Sequence, residues 1–125
     1  MTGAVLDAGA LVAFQRSDRR VAAIVARALH HGDDLVVPAG VVAQVWRDGR
    51  RQSRLSRLLG SPACHVVPLD DRSAREAGQL CGGAGTTDVV DASVVVVARQ
   101  RAGRVLTSDA ADLRRLDPHL DVVPV

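Results

Sequence analysis

The sequence predicts an α/β fold: a three-layer sandwich in which helices flank a central, mostly parallel sheet of about five strands. Three observations lead there. The apolar runs are short, β-branched and continuous rather than alternating, as expected of strands buried on both faces. Three of them end in Val-Val-Pro, at Pro38, Pro68 and Pro124, and proline cannot continue a ladder. Helical patterns alternate with these runs along all 125 residues, with no linker or low-complexity segment, so residues 1–125 read as one domain.

Ala4-Val5-Leu6 is the first strand and Ala8 to Arg16 the first helix. A second helix over Val21 to His31 leads into the strand Leu35-Val36-Val37. Pro38 suits the first turn of a helix, and a long third helix is expected from Ala39 to Leu59. His65-Val66-Val67 is the third strand, and Ser73-x-x-Glu76 has capping-box spacing for a helix over Arg72 to Gly82. Val89 to Arg101 is the contested segment, because Val94 to Val97 are β-branched residues that prefer strand. The flanking Asp91-Ala92 and Ala98-Arg99-Gln100-Arg101 favour helix, and a fully buried helix tolerates valine. Arg104 to Thr107, a short helix over Ala110 to Leu116, and Asp121-Val122-Val123 complete the pattern.

Composition bounds the class. With 47% hydrophobic and 24% charged residues the chain reads as globular, and with 2% aromatics its core must be built from Val, Leu and Ala. All 16 basic residues are arginine, which removes any chemistry that needs a lysine. A net charge of +2 is too small to imply a partner. Cys64 and Cys81 form no C-x-x-C pair, which argues against structural zinc. Met1-Thr2-Gly3-Ala4 does not open a signal peptide, and no apolar stretch is long enough to span a bilayer. The expectation is a cytoplasmic protein with reduced thiols.

The aspartates carry the chemistry. Asp7 closes Val5-Leu6, Asp109 follows Val105-Leu106-Thr107-Ser108, Asp88 and Asp91 open the valine-rich segment, and Asp112 trails Asp109 by three residues. In a parallel α/β sheet, strand C-termini and helix N-termini share the edge where ligands bind. Asp7, Asp109 and the Asp88/Asp91 pair are therefore predicted to meet on one rim. Singly, each acid is an ordinary helix cap, stabilising by about 0.3–1 kcal/mol. Together they conflict: two unit charges about 4 Å apart repel by roughly 4 kcal/mol at an effective dielectric of about 20. Helix N-termini oppose protonation, so a divalent cation is the natural remedy, and oxygen donors without His or Cys suit Mg2+ or Mn2+.

The stretch AVLDAGALVAF (Ala4 to Phe14), the stretch DASVVVVARQRAGRVLTSD (Asp91 to Asp109), and their order resemble the PIN-domain family, specifically the VapC-type toxins of toxin–antitoxin pairs. The likeness spans essentially the whole chain, and its most specific part is the spacing from Asp91 through Ala98 to Thr107 and Asp109. It implies a parallel sheet flanked by helices and RNA cleavage dependent on one or two Mg2+ or Mn2+ ions. It further implies a small antitoxin as partner and a homodimer. Carried over by position, Asp7, Asp91 and Asp109 become the catalytic, metal-binding acids, supported by Thr107, Ser108 and Asp112. Water activated by the metal would attack the phosphodiester, leaving His30, His31, His65 and His119 without an assigned role. One departure stands out: the family usually has a glutamate early in the third helix, where this chain has Gln44. Asp88 and Gln44 are the further candidates for the metal, with Asp88 restoring some of the lost charge. The alternative is a catalytically weak or silent module that keeps the fold and the antitoxin.

Arg47, Arg50, Arg51, Arg54 and Arg57 recur at three- and four-residue steps, predicting a cationic stripe along the third helix. Such a stripe suits RNA phosphates, the antitoxin, or simple solvation. Trp46 beside it reads as core or as an interface residue. Other Asp-rich α/β folds fit less well. A receiver domain needs a lysine, a haloacid-dehalogenase-like phosphatase needs a second acid at Gly9, and no P-loop motif occurs.

Overall fold

A computed structural model describes residues 2–101 and 103–125. Its elements run β1 (Thr2–Leu6), α1 (Ala8–Gln15), α2 (Arg19–His30), β2 (Asp34–Pro38), α3 (Ala39–Val45), α4 (Ser53–Leu59), β3 (Cys64–Val67), α5 (Asp71–Ala84), α6 (Val89–Arg101), β4 (Val105–Thr107), α7 (Ala110–Leu116) and β5 (Val122–Pro124). The five strands form one sheet in the order β3-β2-β1-β4-β5, with every neighbouring pair parallel. The α/β sandwich read from the valine runs is thus the fold that forms. Three of its strands, β2, β3 and β5, end at or next to the three prolines, as a residue without an N–H requires.

Helices cover the sheet because each strand exposes apolar side chains on both sides. Val5, Leu6, Val36, Val37, Val105 and Leu106 are all buried. α6 packs on β1 and β2 and carries α5 and α7, whereas α1 touches β1, β4, α2 and α4. α3 bridges the two groups by contacting both α1 and α6. The contested valine run is helix, and every residue from Ala92 to Ala98 is buried. Burial all around replaces the amphipathic stripe of a surface helix, and that packing outweighs the strand preference of valine.

Three expectations fail locally. The long third helix breaks into α3 and α4: Trp46 leaves helical geometry at ψ 131°, and a loop over 46–52 intervenes. The expected capping box is also displaced. Asp70, not Ser73, caps α5 by accepting the Ser73 N–H at 2.8 Å. The helix begins one residue earlier than predicted, which leaves Ser73 inside the first turn, where its buried hydroxyl accepts a bond from Gln100 at 3.0 Å. Pro38 likewise sits one place before the first turn of α3, as the cap residue itself.

Candidate functional site

The strand order places the site. From β1 the chain walks outward to β2 and β3, then returns across β1 to lay down β4, so the two crossovers leave β1 in opposite directions. At such a switch point the C-terminal ends of the two strands open a crevice. Leu6 pairs with Leu106 in register, so Asp7 and Thr107 emerge side by side. The Asp7 N–H donates to the Leu106 carbonyl at 3.2 Å, fixing that adjacency.

Asp7 caps α1, accepting the Ala10 N–H at 2.9 Å, yet it is only 5% exposed. Burial raises its pKa above the usual carboxylate range; bonds from the Thr107 hydroxyl and the Ala10 N–H pull it down, and the charge of Asp109 pushes it further up. Thr107, fully buried, also accepts the Asp109 N–H at 2.8 Å. Asp109 occupies the cap position of α7 without making a side-chain capping bond, so helix starting does not account for its carboxylate. Gly9 explains how α1 comes so close. A Cβ there would overlap the Ser108 hydroxyl and lie 2.9 Å from the Ser108 Cβ.

The third acid comes from α6. Gly85 ends α5 in the left-handed conformation at φ 69°, which turns the chain toward Asp88. Asp88 accepts the Asp91 N–H at 3.0 Å, the bond that starts α6, and the Asp88 carbonyl accepts from the Cys81 thiol at 3.5 Å. Asp91 is half-buried, and its pKa is pushed up to about 7. Desolvation is the main cause, followed by the charge of Asp88, a side-chain hydrogen bond to Asp88, and the charges of Asp109 and Asp7. Asp7, Asp91 and Asp109 therefore lie within one electrostatic neighbourhood.

The remaining predicted residues divide. Asp88, Asp91 and Asp112 line a cavity of ≈ 100 Å³ together with Arg115 and Thr86. Ser108 is exposed. Gln44 is exposed on α3, one turn beyond Gly40, whose Cα faces Val90 and Ser93 of α6. The arginine stripe is not a stripe. Arg47, Arg50 and Arg51 lie in the loop, and only Arg54 and Arg57 are helical. Arg47 bonds the Ala43 and Trp46 carbonyls at the end of α3, and Arg54 bonds the Phe14 carbonyl at 3.3 Å and stacks over its ring. Sequence reasoning missed Gly9 and the buried Gln52. A glycine beside a helix start signals close backbone approach, whereas nothing in an arginine-rich segment marks one glutamine as buried.

Asp7, Asp91 and Asp109 offer only oxygen donors, the kind a hard cation takes, and the charge of Asp109 raises the pKa of both Asp7 and Asp91. Among the described residues, no three His, Cys, Asp or Glu side chains close around one point as a finished metal cage. The acids fit a dication by chemistry, and their carboxylates must draw together to ligate it.

Residues 4–117 match the family model described as PIN domain. No curated protein is similar enough to count as a relative. Among solved structures, FitAcB from Neisseria gonorrhoeae is 19% identical, with a TM-score of 0.67 over 94% of each chain. FitAB bound to the IR36 DNA fragment is 17% identical, with a TM-score of 0.67 over 96% of this chain and 93% of that one. At such identities the likeness is one of fold.

Proposed function

Because the chain belongs to the PIN-domain family, we propose that it is a Mg2+- or Mn2+-dependent endoribonuclease acting as the toxin of a type II toxin–antitoxin pair. The observation that carries this reading is the mutual charge of Asp7, Asp91 and Asp109 at the β1/β4 switch point. The toxin assignment itself rests on the resemblance to VapC-type sequences. Cytoplasmic location, a small antitoxin and a homodimer belong to the same proposal. Among the described residues, no single helix is long and apolar enough to cross a membrane.

Asp7, Asp91 and Asp109 would hold the cation, with Asp88 beside Asp91 and the exposed Gln44 of α3 as lesser candidates. When bound, the ion supplies a water of lowered pKa and neutralises charge on the phosphate. This chain's own residues do the rest. Thr107 accepts the Asp109 N–H and its hydroxyl lowers the Asp7 pKa, so one buried hydroxyl sits between two of the three acids. Asp88 pins the first turn of α6 and with it the backbone of Asp91. Ser108 and Asp112 flank Asp109 on the exposed side.

The test is RNA cleavage with Mn2+ against an EDTA control. Attack by water leaves ends that lack the 2′,3′-cyclic phosphate formed when the ribose hydroxyl attacks. Cleavage that survives EDTA, or cyclic-phosphate products, would reject the reading. Gln44 favours a second reading, a silent module that only binds an antitoxin. If so, Gln44→Glu gains Mn2+-dependent activity from a null background; if the first reading holds, native protein already cleaves, and Asp88→Asn lowers Mn2+ affinity.

A further inference from the structure

The loop over 46–52 is built rather than loose. Gln52, only 7% exposed, uses its whole amide. Its oxygen accepts the Arg47 N–H at 2.8 Å and the Asp48 N–H at 3.0 Å. Its amide nitrogen donates to the Val45 carbonyl at 2.8 Å and to the Gln15 side chain at 3.0 Å. Four bonds from one side chain tie the loop to the ends of α1 and α3. Asp48 tightens it further by accepting the Arg50 N–H at 3.0 Å.

What the loop displays is specific. Trp46 is 37% exposed, with its ring edge laid against Gly49, where a Cβ would stand 3.0 Å from Cζ2 and 3.2 Å from Cη2. Arg47 is occupied by the end of α3. Arg50 and Arg51 are exposed, and among the described residues neither side chain makes a hydrogen bond or ion pair. Apart from the indole, the loop exposes only charged and polar groups, which suits a polyanion with stackable faces better than the apolar centre of a protein interface. The loop sits at the ends of α1 and α3 away from the acid rim, and Gln15 lies roughly 12 Å from Asp7 by helix rise alone, so an RNA strand seated on the loop has to run along α1 to reach the acids.

We infer that this loop is a platform for single-stranded RNA, with a base stacked on Trp46 and phosphates on Arg50 and Arg51. Gln52 and Gly49 are its positioning residues. The inference rests on the ribonuclease reading and extends it to a substrate subsite.

Trp46 is the only tryptophan, so its fluorescence reports the subsite directly. In EDTA, where no cleavage occurs, an RNA 12-mer should quench native emission saturably. By anisotropy of labelled RNA, Trp46→Ala should weaken binding about tenfold. The Arg50→Ala/Arg51→Ala double variant should weaken it by at least as much and flatten the salt dependence by about 1.4 in log–log slope. Gln52→Ala should open Trp46 to acrylamide and weaken RNA binding while leaving the Mn2+-induced rise in Tm unchanged, a combination that general unfolding would not produce. Native protein that cleaves RNA while Trp46→Ala and Arg50→Ala/Arg51→Ala bind it as tightly overturns the platform and spares the nuclease. Native protein that neither binds nor cleaves RNA overturns both. Quenching by an antitoxin peptide but not by RNA overturns the platform in favour of a protein surface.

Discussion

The acids at Asp7, Asp91 and Asp109 and the arginines from Arg47 to Arg57 are both sets of like charge, and the fold treats them oppositely. Each acid stands at the end of a strand or the start of a helix, where ladder register decides its place: Leu6 against Leu106 sets Asp7 beside Thr107, and α6 brings Asp91 to the same rim. The arginines share a helical spacing on paper, but the helix that would align them breaks at Trp46. Arg47 and Arg54 are spent on local carbonyls and the Phe14 ring, which leaves Arg50 and Arg51 on a loop. Charges hung on a buried sheet are gathered; charges hung on a surface helix go wherever its ends fall.

The sharpest way to break this contrast is Asp7→Asn. It should cut Mn2+-dependent cleavage by about three orders of magnitude, since a ligand to a catalytic ion contributes several kcal/mol to charge stabilisation, while circular dichroism stays native. Equal loss from an arginine variant such as Arg57→Ala would erase the distinction. Gly9→Ala comes next: forcing a methyl into Ser108 should cost about 1–3 kcal/mol of stability by denaturant titration and lower cleavage with it.

Asp91→Asn should act in the other direction on stability. A carboxyl whose folded pKa is raised to about 7 binds a proton more tightly folded than unfolded, so its contribution is greatest below the unfolded value near 4. Stability is lost as pH rises toward 7. Removing that charge should stabilise metal-free protein at pH 8 by about 2 kcal/mol, less than full conversion of the shift because the group is only half-buried, and should flatten the pH dependence of Tm between 4 and 7. Arg54→Ala should cost about 1 kcal/mol through the lost Phe14 contacts. Arg50→Ala should change stability by less than about 0.5 kcal/mol, as an exposed residue without partners does.

Legibility in the sequence follows the same division. Val-Val-Pro endings and continuous apolar runs declare the strands, because burial on both faces leaves no alternative composition. The rim of acids is legible because strand ends and helix starts are forced to one edge. Gln52 is not: Asp48-Gly49 is a turn signal in the sequence, but it does not say which amide the resulting loop folds over, and Gln52 is buried only because the loop folds back on Gln15 and Val45. The cap of α5 lies one turn before the Ser73 that the spacing suggests, because Asp70, Asp71 and Ser73 all compete for one helix end.

The most direct test follows the side-chain carboxyl carbons of Asp7, Asp91 and Asp109 by NMR through a pH titration, with and without Mg2+. Asp91 should titrate near 7 in the metal-free protein and fall by at least about two pH units when Mg2+ is added, with Asp7, which burial raises, falling alongside it. An Asp91 that titrates near the ordinary value of about 4 in both conditions would contradict the claim that these three acids share one cation site.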